Sequence, residues 1–330
     1  MIISRTPFRV SFVGGGTDLE AFYSIEDGKV LSTTIDKYIY VAVKRQLHIV
    51  EHKFRVSWAK VEFKDTIDEI EHPIVREALK IMEIDFPTEI TTFADIPSNT
   101  GLGSSSSFAV GLLHALFALK GKMVTKNTLA VMASHIEKDI LKRNIGSQDH
   151  FAAAYGNLNV FTFHKNGYVS IDPVFYDPAF KTKIQNNLML FYTKIKRDAS
   201  EILKKQKDNT RIKFEVLKNM RNLVEPLREV ISSSRNENVF GEILHQGWTL
   251  KKSITDDISS KQIDTYYETA IKAGAIGGKL LGAGAGGFLL LYVEPKNQPV
   301  VEKALSGLYR MKFKFDDAGS RITYYDQREF

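Results

Sequence analysis

The chain has 330 residues, of which 43% are hydrophobic and 25% charged. These proportions are those of a soluble globular protein, and the length is sufficient for two domains. The absence of cysteine excludes disulfides and thiolate metal sites. No segment is apolar enough to span a bilayer, and the first residues lack the pattern of a signal peptide, so we expect a cytoplasmic protein without a membrane partner.

The net charge of +6 does not indicate a nucleic-acid partner. Lysines and arginines are scattered in short pairs, such as Lys44-Arg45 and Lys204-Lys205, and no basic block or aromatic-interleaved stripe is present. A small anionic substrate needs only a few local positive charges. We therefore expect a small-molecule partner and no nucleic acid.

The first hundred residues predict mainly strands. Residues 2–13 alternate loosely between polar and apolar types and predict a first strand, with Arg9 inside it. Three glycines and then Thr17 and Asp18 follow, which indicates a sharp bend with close backbone approach. Asp18 has two interpretations, the N-cap of a following helix and a ligand contact. Further predicted elements are strands at residues 30–43, 54–63 and 89–94 and a helix at 73–82.

The most informative stretch is IPSNTGLGSSSSFAV at residues 96–110. Gly101 and Gly103 permit positive φ, the following serines are good N-caps, and residues 108–119 are apolar nearly all round, which predicts a buried helix. A glycine-rich loop leading into a helix N-terminus is an anion site, because free N–H groups and the helix dipole point at the ligand. Serine hydroxyls there also reach a hard cation that accompanies phosphate. The alternative, a flexible linker, is disfavoured by the buried helix.

Two carboxylates follow in the next predicted helices. Thr125 caps a helix over residues 126–143, whose apolar residues recur at spacings of three and four. Glu137 falls beside that buried face, where a carboxylate is less comfortable. Asp149 lies at a junction between a loop and a helical turn at residues 151–155. The alternatives, a solvated charge for Glu137 and an N-cap for Asp149, stay open at this point.

The second half of the chain begins with turn residues. Asp-Pro pairs at residues 172–173 and 177–178 indicate a boundary, and we expect domains at residues 1–183 and 184–330. Lys194, Lys196 and Arg197 then lie between a strand and a helix, which predicts an anion pocket in which the planar fork of Arg197 grips phosphate; the alternative is a solvated basic loop. The predicted elements are strands at 187–193, 288–293, 311–315 and 321–325, and helices at 200–232 with a break near Pro226, 239–254, 263–273 and 300–308.

A second glycine cluster, GGKLLGAGAGG, occupies residues 277–287. It contains a formal G-x-G-x-x-G at Gly282, Gly284 and Gly287. A dinucleotide fingerprint must follow a strand and open a helix, whereas this cluster precedes a strand, so we reject that interpretation. The sequence also lacks a Walker-type phosphate loop and a protein-kinase H-R-D motif.

Three motifs together resemble the GHMP small-molecule kinases. They are PFRV leading to GGGTD, P-x-x-x-GLGSSS, and GAGAGG, in that order across the whole chain. Within this superfamily the sequence is most similar to the D-glycero-D-manno-heptose 7-phosphate kinases, through FVGGGTD, HPIVREALK, GSQDHFAAAYG, FYTKIKRDASEIL and GGKLLGAGAGGF. Fucokinase-type enzymes share several of these segments. The chain departs from the pattern at Lys194 and Ala285, where glycine is expected.

The resemblance implies an α+β fold, with an N-terminal domain like the second domain of ribosomal protein S5, a ferredoxin-like C-terminal domain and the active site between them. It implies that Asp149 is the base for the sugar hydroxyl, and that Arg9 neutralises the transferring phosphoryl group and holds Asp149 ionised. Mg²⁺ would bind Glu137 and Ser105, or Ser104 in place of Ser105. The ATP-binding residues would be Pro97, Gly101, Leu102, Gly103, Ser104, Ser105, Ser106 and Ser107. The substrate-binding residues would be Gly15, Gly16, Thr17, Asp18, Arg197, Gly284, Ala285 and Gly286.

The activity that the resemblance implies is ATP-dependent phosphorylation of the anomeric hydroxyl of a heptose 7-phosphate. The 1,7-bisphosphate product would feed nucleotide-heptose and surface-glycan synthesis. The alternatives are a fucokinase-like enzyme for an unphosphorylated sugar, a non-catalytic sugar sensor, and nucleic-acid binding through the S5-like domain. The sequence leaves open the anomer, the residues that contact adenine, and whether the chain forms a homodimer.

Overall fold

The computed structural model describes residues 1–195, 204–205 and 208–326. Within these residues, nine strands form one sheet and four form a second. The first sheet contains β1 (Ile2–Val13), β2 (Gly28–Arg45), β3 (Phe54–Ser57), β4 (Val61–Lys64), β5 (Thr88–Ala94), β6 (Asn159–Phe163), β7 (Val169–Pro173), β12 (Phe315–Asp316) and β13 (Arg321–Tyr325). The second contains β8 (Leu188–Tyr192), β9 (Gly277–Leu280), β10 (Phe288–Tyr292) and β11 (Tyr309–Met311).

The long strand β2 organises the first sheet. It pairs antiparallel with β1 along most of its length, with β6 at its start and with β5 at its end. The hairpin β3–β4 joins through a parallel pairing of β3 with β5. The last strand, β13, returns to pair with β1, so residues near the end of the chain complete the sheet built by its beginning. The division at residues 183 and 184 stays a prediction.

Helices cover both sheets. They are α1 (Glu20–Tyr23), α2 (Pro73–Ile81), α3 (Ser104–Leu119), α4 (Lys126–His135), α5 (Gln148–Tyr155), α6 (Pro178–Asn187), α7 (Phe214–Asn222), α8 (Val224–Ser233), α9 (Asn238–Lys252), α10 (Lys261–Lys272) and α11 (Gln298–Ala304). Single-turn 3₁₀ segments occupy Asp256–Ile258 and Pro295–Asn297. In the described part of the chain, no helix is long and apolar enough to cross a membrane.

Helix α3 is the buried element predicted from its sequence. It packs against β1 and β2, and it approaches β1 closely at Gly111, where a Cβ atom would lie 2.7 Å from Oγ1 of Thr6. Ser4 donates its hydroxyl to the carbonyl of Gly111 at 2.7 Å. The helix begins at Ser104 rather than at residue 108, so its first turn carries the serines of the glycine-rich loop.

Several boundaries differ from the sequence prediction for local reasons. Residues 54–63, expected as one strand, form the hairpin β3–β4. The turn residues Asp172-Pro173 end β7, and the Asp177 carboxylate caps α6 by accepting from the N–H groups of Ala179 and Phe180. In the described part of residues 200–232, the break lies between α7 and α8, with Pro226 in the first turn of α8, where proline is tolerated.

The two departures from the family pattern, Lys194 and Ala285, both have left-handed backbone, with φ of 61° and 62°. Glycine adopts this region at no steric cost, whereas other residues lose about 1–2 kcal/mol. We therefore expect the unfolding free energy of Lys194→Gly to be about 1 kcal/mol higher than that of Lys194→Ala. Both substitutions remove the lysine side chain beyond Cβ, but only glycine removes the steric cost of the left-handed backbone. Chemical denaturation of the two variants checks this, and equal midpoints would contradict it.

Candidate active site

One cleft of about 1480 Å³ brings together residues that are far apart in the sequence. Its walls come from the end of β1, the loop before α3, the segment after α4, the start of α5 and the loop after β9. The sequence-predicted site residues that line it are Arg9, Gly15, Gly16, Asp18, Pro97, Gly101, Gly103, Ser104, Ser105, Ser106, Glu137 and Asp149.

Arg9 and Asp149 form a bidentate ion pair in this cleft. Arg9 donates from Nε to Oδ1 of Asp149 at 2.7 Å and from Nη2 to Oδ2 at 2.8 Å. The Arg9 side chain is 5% exposed and that of Asp149 is 22% exposed, so the carboxylate is reachable from the cleft. Asp149 lies in the first turn of α5 and Ser147 is the N-cap, so the N-cap interpretation of Asp149 is wrong.

The glycine-rich loop is fastened to Arg9. The backbone N–H of Arg9 donates to the carbonyl of Leu102 at 3.1 Å, and its Nη1 donates to the carbonyl of Gly101 at 2.6 Å. Gly101 and Gly103 have φ of 81° and 79°, as their types predicted. This conformation leads directly into α3, so the N–H groups of the first helical turn remain available to an anion.

Glu137 lies in a π-helical turn, Ile136–Ile140, that interrupts the predicted helix after α4. Such turns are rare and frequently mark functional sites, because the extra residue redirects a side chain. The Glu137 side chain is fully buried and accepts from Nε2 of His150 at 2.9 Å and from the hydroxyls of Ser105 and Ser106. The interpretation of Glu137 as a solvated charge is therefore wrong.

The charge of Glu137 is stabilised by its neighbours. Burial acts to raise the pKa of this carboxyl, but the hydrogen bond and charge of His150, the Ser105 hydroxyl and the charge of Arg143 together lower its pKa to about 2. Nη1 of Arg143 contacts both Oε1 of Glu137, at 2.5 Å, and Oγ of Ser105, at 2.8 Å. One cationic nitrogen thus lies between the two residues that we expect to bind Mg²⁺.

These oxygens fit a magnesium ion that also binds phosphate. Mg²⁺ takes hard oxygen ligands and in kinases uses one or two carboxylates together with substrate phosphates. Among the described residues, no group of three or more His, Cys, Asp or Glu side chains could hold a metal ion. Glu137 and Ser105 would therefore hold Mg²⁺ only together with phosphate oxygens, and Arg143 would have to withdraw.

Asp18 is held by backbone N–H groups on the sheet side of the cleft. Its Oδ1 accepts from Gly16 at 2.9 Å and its Oδ2 accepts from Gln148 at 3.3 Å. Burial, and then the nearby charge of Asp149, raise the pKa of Asp18. The N-cap of α1 is Leu19, so Asp18 does not cap that helix, and its carboxyl is directed to the cleft instead.

Two protein-family models match the chain and identify its family. The model of the GHMP kinase N-terminal domain matches residues 73–157, and that of the GHMP kinase C-terminal domain matches residues 211–310. Together the two matches cover more than half of the chain. The chain belongs to the GHMP kinases. GHMP kinases use ATP, so the chain is an ATP-dependent kinase, and its α+β fold is the one that the sequence predicted.

Individual relatives extend this comparison. The D-glycero-alpha-D-manno-heptose 7-phosphate kinase of Campylobacter jejuni is 29% identical over 92% of this chain and 93% of its own. The bifunctional fucokinase/GDP-fucose pyrophosphorylase of Arabidopsis thaliana is 26% identical over 61% of this chain and 19% of its own. Among solved structures, a D-glycero-D-manno-heptose 1-phosphate kinase from Bacteroides thetaiotaomicron has a TM-score of 0.82 at 22% identity, covering 99% of this chain and all of that one.

Gly146, in the loop before α5, lies against the Asp18 carboxyl. A Cβ atom at this position would lie 1.8 Å from Oδ2 of Asp18. We expect Gly146→Ala to displace the Asp18 carboxyl and to raise KM for the sugar about tenfold or more, equivalent to about 1.4 kcal/mol. Steady-state kinetics check this. Gly307→Ala is the matched control, because a Cβ there meets nothing within 4 Å; a normal KM in the Gly146 variant would contradict the expectation.

Some predicted site residues lie behind the cleft rather than in it. The Thr17 hydroxyl donates to the carbonyl of Gly14 at 2.8 Å, the Ser107 hydroxyl donates to the carbonyl of Pro7 at 2.9 Å, and Leu102 is fully buried. These contacts hold the two loops in place. We therefore expect these three residues to shape the site without touching a ligand.

The part of the late glycine cluster after Ala283 packs against protein. A Cβ at Gly284 would lie 2.7 Å from the carbonyl oxygen of Ile258, and one at Gly286 would lie 2.4 Å from that of Ile195. Ala285 is buried and donates its N–H to Ile258. Gly284, Ala285 and Gly286 do not line the cleft, and their role in substrate binding stays a prediction. Arg197, the predicted phosphate-binding residue, lies outside the described residues.

Sequence reasoning did not select several polar residues of the cleft region, among them His150, Arg143, Lys251 and Lys279. His150 and Arg143 hold Glu137, and Lys251 and Lys279 line the floor near Gly282. His150 lies within the GSQDHFAAAYG segment and Lys279 within GGKLLGAGAGG, so both stand inside family motifs. A lysine in an otherwise apolar, glycine-rich strand was the signal that could have identified Lys279.

Proposed function

We propose that this kinase transfers the γ-phosphoryl group of ATP to the anomeric hydroxyl of D-glycero-D-manno-heptose 7-phosphate and releases the 1,7-bisphosphate. The observation that carries the proposal is the Arg9–Asp149 ion pair, exposed to the cleft beside Asp18 and fastened to the glycine-rich loop. The choice of sugar is supported by the Campylobacter jejuni relative, whose name gives that substrate. The product would feed nucleotide-heptose and surface-glycan synthesis, which suits a cytoplasmic enzyme.

The chain's residues would perform the transfer by positioning and charge neutralisation. Asp149 orients the anomeric hydroxyl and accepts its proton as the new O–P bond forms and the bond from the γ-phosphorus to the ADP oxygen breaks. Arg9 offsets the charge on the transferring group, and the N–H groups of the loop at Gly101–Ser106 bind the phosphates. Asp18 accepts hydrogen bonds from sugar hydroxyls.

We further propose that Glu137 and Ser105 hold Mg²⁺ when Mg²⁺ and ATP bind together. The ion would supply charge neutralisation for the phosphates. Arg143 is 35% exposed, so its side chain has room to leave the two oxygens that its nitrogen contacts. The adenine base would lie against the aromatic side of the cleft, where the rings of His72 and Phe108 are 4.9 Å apart.

Two alternatives make different predictions for the same cleft. A fucokinase-like enzyme, suggested by the Arabidopsis relative, would prefer an unphosphorylated sugar. A non-catalytic sensor would bind sugar without turnover, and the presence of Asp149, Arg9 and Glu137 together argues against it. We also keep the division into residues 1–183, containing the ATP site, and 184–330, completing the substrate site, as a proposal.

A substrate comparison tests the proposal. ADP release is measured with ATP, Mg²⁺ and one of three acceptors: D-glycero-D-manno-heptose 7-phosphate, the unphosphorylated heptose, or L-fucose. We expect the highest kcat/KM with the heptose 7-phosphate. Preference for either unphosphorylated sugar would favour the fucokinase-like alternative, and ADP release that no sugar stimulates would favour the sensor.

A further inference from the structure

Two lysines that the proposed transfer does not use lie buried in the floor of the cleft. Lys279 of β9 donates its ammonium to the carbonyl of Phe12 on β1 at 2.7 Å, and Lys251, near the end of α9, donates to the carbonyl of Gly282. Each residue is 6% exposed and lines the cleft. Their acceptors are neutral backbone groups, and among the described residues neither lysine forms a salt bridge.

An ammonium group is unfavourable at both positions, because it is buried and its acceptor is a neutral carbonyl. Burial and the charge of Arg9 lower the pKa of Lys251 to about 7, against the opposing effect of Asp18. Burial, together with the charges of Lys251 and Arg9, lowers the pKa of Lys279 well below its usual range. Asp149 is already paired with Arg9, and Asp18 favours the charged form of Lys251 without forming a salt bridge to it, so among the described residues neither lysine has a negative charge in direct contact. A bound anion would supply it.

Lys279 lies along β1 from the reacting end of the proposed substrate, and Lys251 lies beside Gly282. The Lys279 ammonium contacts Phe12, three residues beyond Arg9 on β1, and this spacing corresponds to about 10 Å along a strand. Arg9 in turn holds Asp149, the residue expected at the anomeric hydroxyl. A seven-carbon sugar with its reacting end at Asp149 would extend its other end in this direction.

Unpaired polar atoms occupy the space between these two points. Within the described chain, Oγ of Ser11 and Oε1 of Gln148 are buried without a hydrogen-bond partner, and both residues line the cleft. They converge at Gly15, where a Cβ atom would lie 3.7 Å from Ser11 Oγ and from Gln148 Nε2. Buried polar atoms without partners are costly, and the hydroxyls of a polyol would satisfy them.

We propose that Lys251 and Lys279 bind the phosphate group that the sugar substrate already carries, with Ser11 and Gln148 contacting its hydroxyls. This inference rests on the proposed function and gives the phosphate a binding site within the described residues. The γ-phosphate of ATP is a second phosphate group that these lysines would attract, because Gly282 beside Lys251 packs on Gly101 of the glycine-rich loop. The test therefore separates the two phosphates.

The experiment measures KM for heptose 7-phosphate, for the unphosphorylated heptose and for ATP in the wild type and in Lys279→Met and Lys251→Met. Methionine keeps most of the side-chain volume and removes the ammonium group, with its charge and its hydrogen bond to a backbone carbonyl. We expect each variant to raise KM for the heptose 7-phosphate about tenfold or more, as for loss of one charge-assisted bond of about 1.4 kcal/mol. KM for ATP and for the unphosphorylated heptose should change by less than about twofold, or 0.4 kcal/mol.

Lys252→Met is the matched control. Lys252 is the next residue on α9, but its ammonium pairs with Asp264 at 3.1 Å and does not line the cleft. This variant should leave all three KM values unchanged. Thermal melts of the variants accompany the kinetics, and calorimetric binding of both sugars replaces KM for any variant whose turnover is too slow.

The outcomes distinguish the inference from the function on which it rests. In a folded variant, an equal rise in KM for the two sugars, or a raised KM for ATP, would overturn the inference. The proposed function would stand in that case, provided that the wild type prefers heptose 7-phosphate. If both variants unfold, the lysines are structural and the inference is also wrong. A wild type that prefers the unphosphorylated heptose would instead overturn the proposed function itself.

Discussion

Asp149→Asn is expected to lower kcat by about 10²–10⁴, the usual contribution of a positioned general base. Asparagine has nearly the same shape, but its amide cannot take the hydroxyl proton. Its NH₂ group would also face the Arg9 N–H groups, which donate hydrogen bonds to the carboxylate in the wild type. ATP binding should persist, because the glycine-rich loop is held to Arg9 through backbone carbonyls. Steady-state kinetics with heptose 7-phosphate and calorimetric titration with ATP measure the two effects.

Asp172→Asn is the control for this substitution. Asp172 is exposed at the end of β7 and does not line the cleft, so its variant should retain wild-type kcat. Near-normal turnover in Asp149→Asn would show that Asp149 is not the base.

Glu137→Gln is expected to raise the Mg²⁺ concentration for half-maximal rate about tenfold or more, or about 1.4 kcal/mol, and to slow turnover. The amide has one oxygen acceptor, whereas the carboxylate serves His150, Arg143 and two serines. Mg²⁺ titrations of the rate measure the effect. Asp139→Asn is the matched control, because Asp139 lies on the same π-turn but is 58% exposed and pairs with His135.

The same variant separates a metal-binding role from a purely structural one. The pKa of Glu137 is about 2 when folded, below its ordinary value of 4.5, so this carboxylate stabilises the fold above about pH 5 and loses that effect as pH falls toward 2. The stability gap between wild type and Glu137→Gln should therefore narrow over this range in urea unfolding. A variant that is less stable at pH 7 but keeps normal Mg²⁺ dependence would contradict the metal role.

The sequence was sufficient where local pattern determines structure. The alternation of residues 2–13 predicted β1 to the residue, and the apolar run after the serines predicted α3, because both elements are buried over most of their length and their apolar residues show it. The π-turn at Ile136–Ile140 was not predictable in this way. Its residues continue a helical pattern of apolar positions. The partners of Glu137 lie on α3 and α5, and the local sequence does not indicate these contacts.

The sequence predicted those site residues that stand in recognisable motifs or at conspicuous positions of predicted helices. Arg9, Asp18, Glu137 and Asp149 stand in three separated segments, and the structure places all four around one cleft. Lys251 and Lys279 were missed because a lysine in a sequence usually indicates a solvent-exposed position, whereas tertiary packing buries both. A Cβ at Gly284 or Gly286 would meet a backbone carbonyl, so close backbone packing accounts for glycine there, and their role in substrate binding stays a prediction.

The central claim is that this kinase phosphorylates an already phosphorylated sugar at its anomeric carbon. The most direct measurement is ³¹P NMR of the product formed from ATP, Mg²⁺ and D-glycero-D-manno-heptose 7-phosphate. We expect two sugar phosphate signals of equal intensity, one coupled to the anomeric proton and the other unchanged from the substrate, with ADP formed in equal amount. A single sugar phosphate signal with ADP and free phosphate, or a new signal on any other carbon, would contradict the claim.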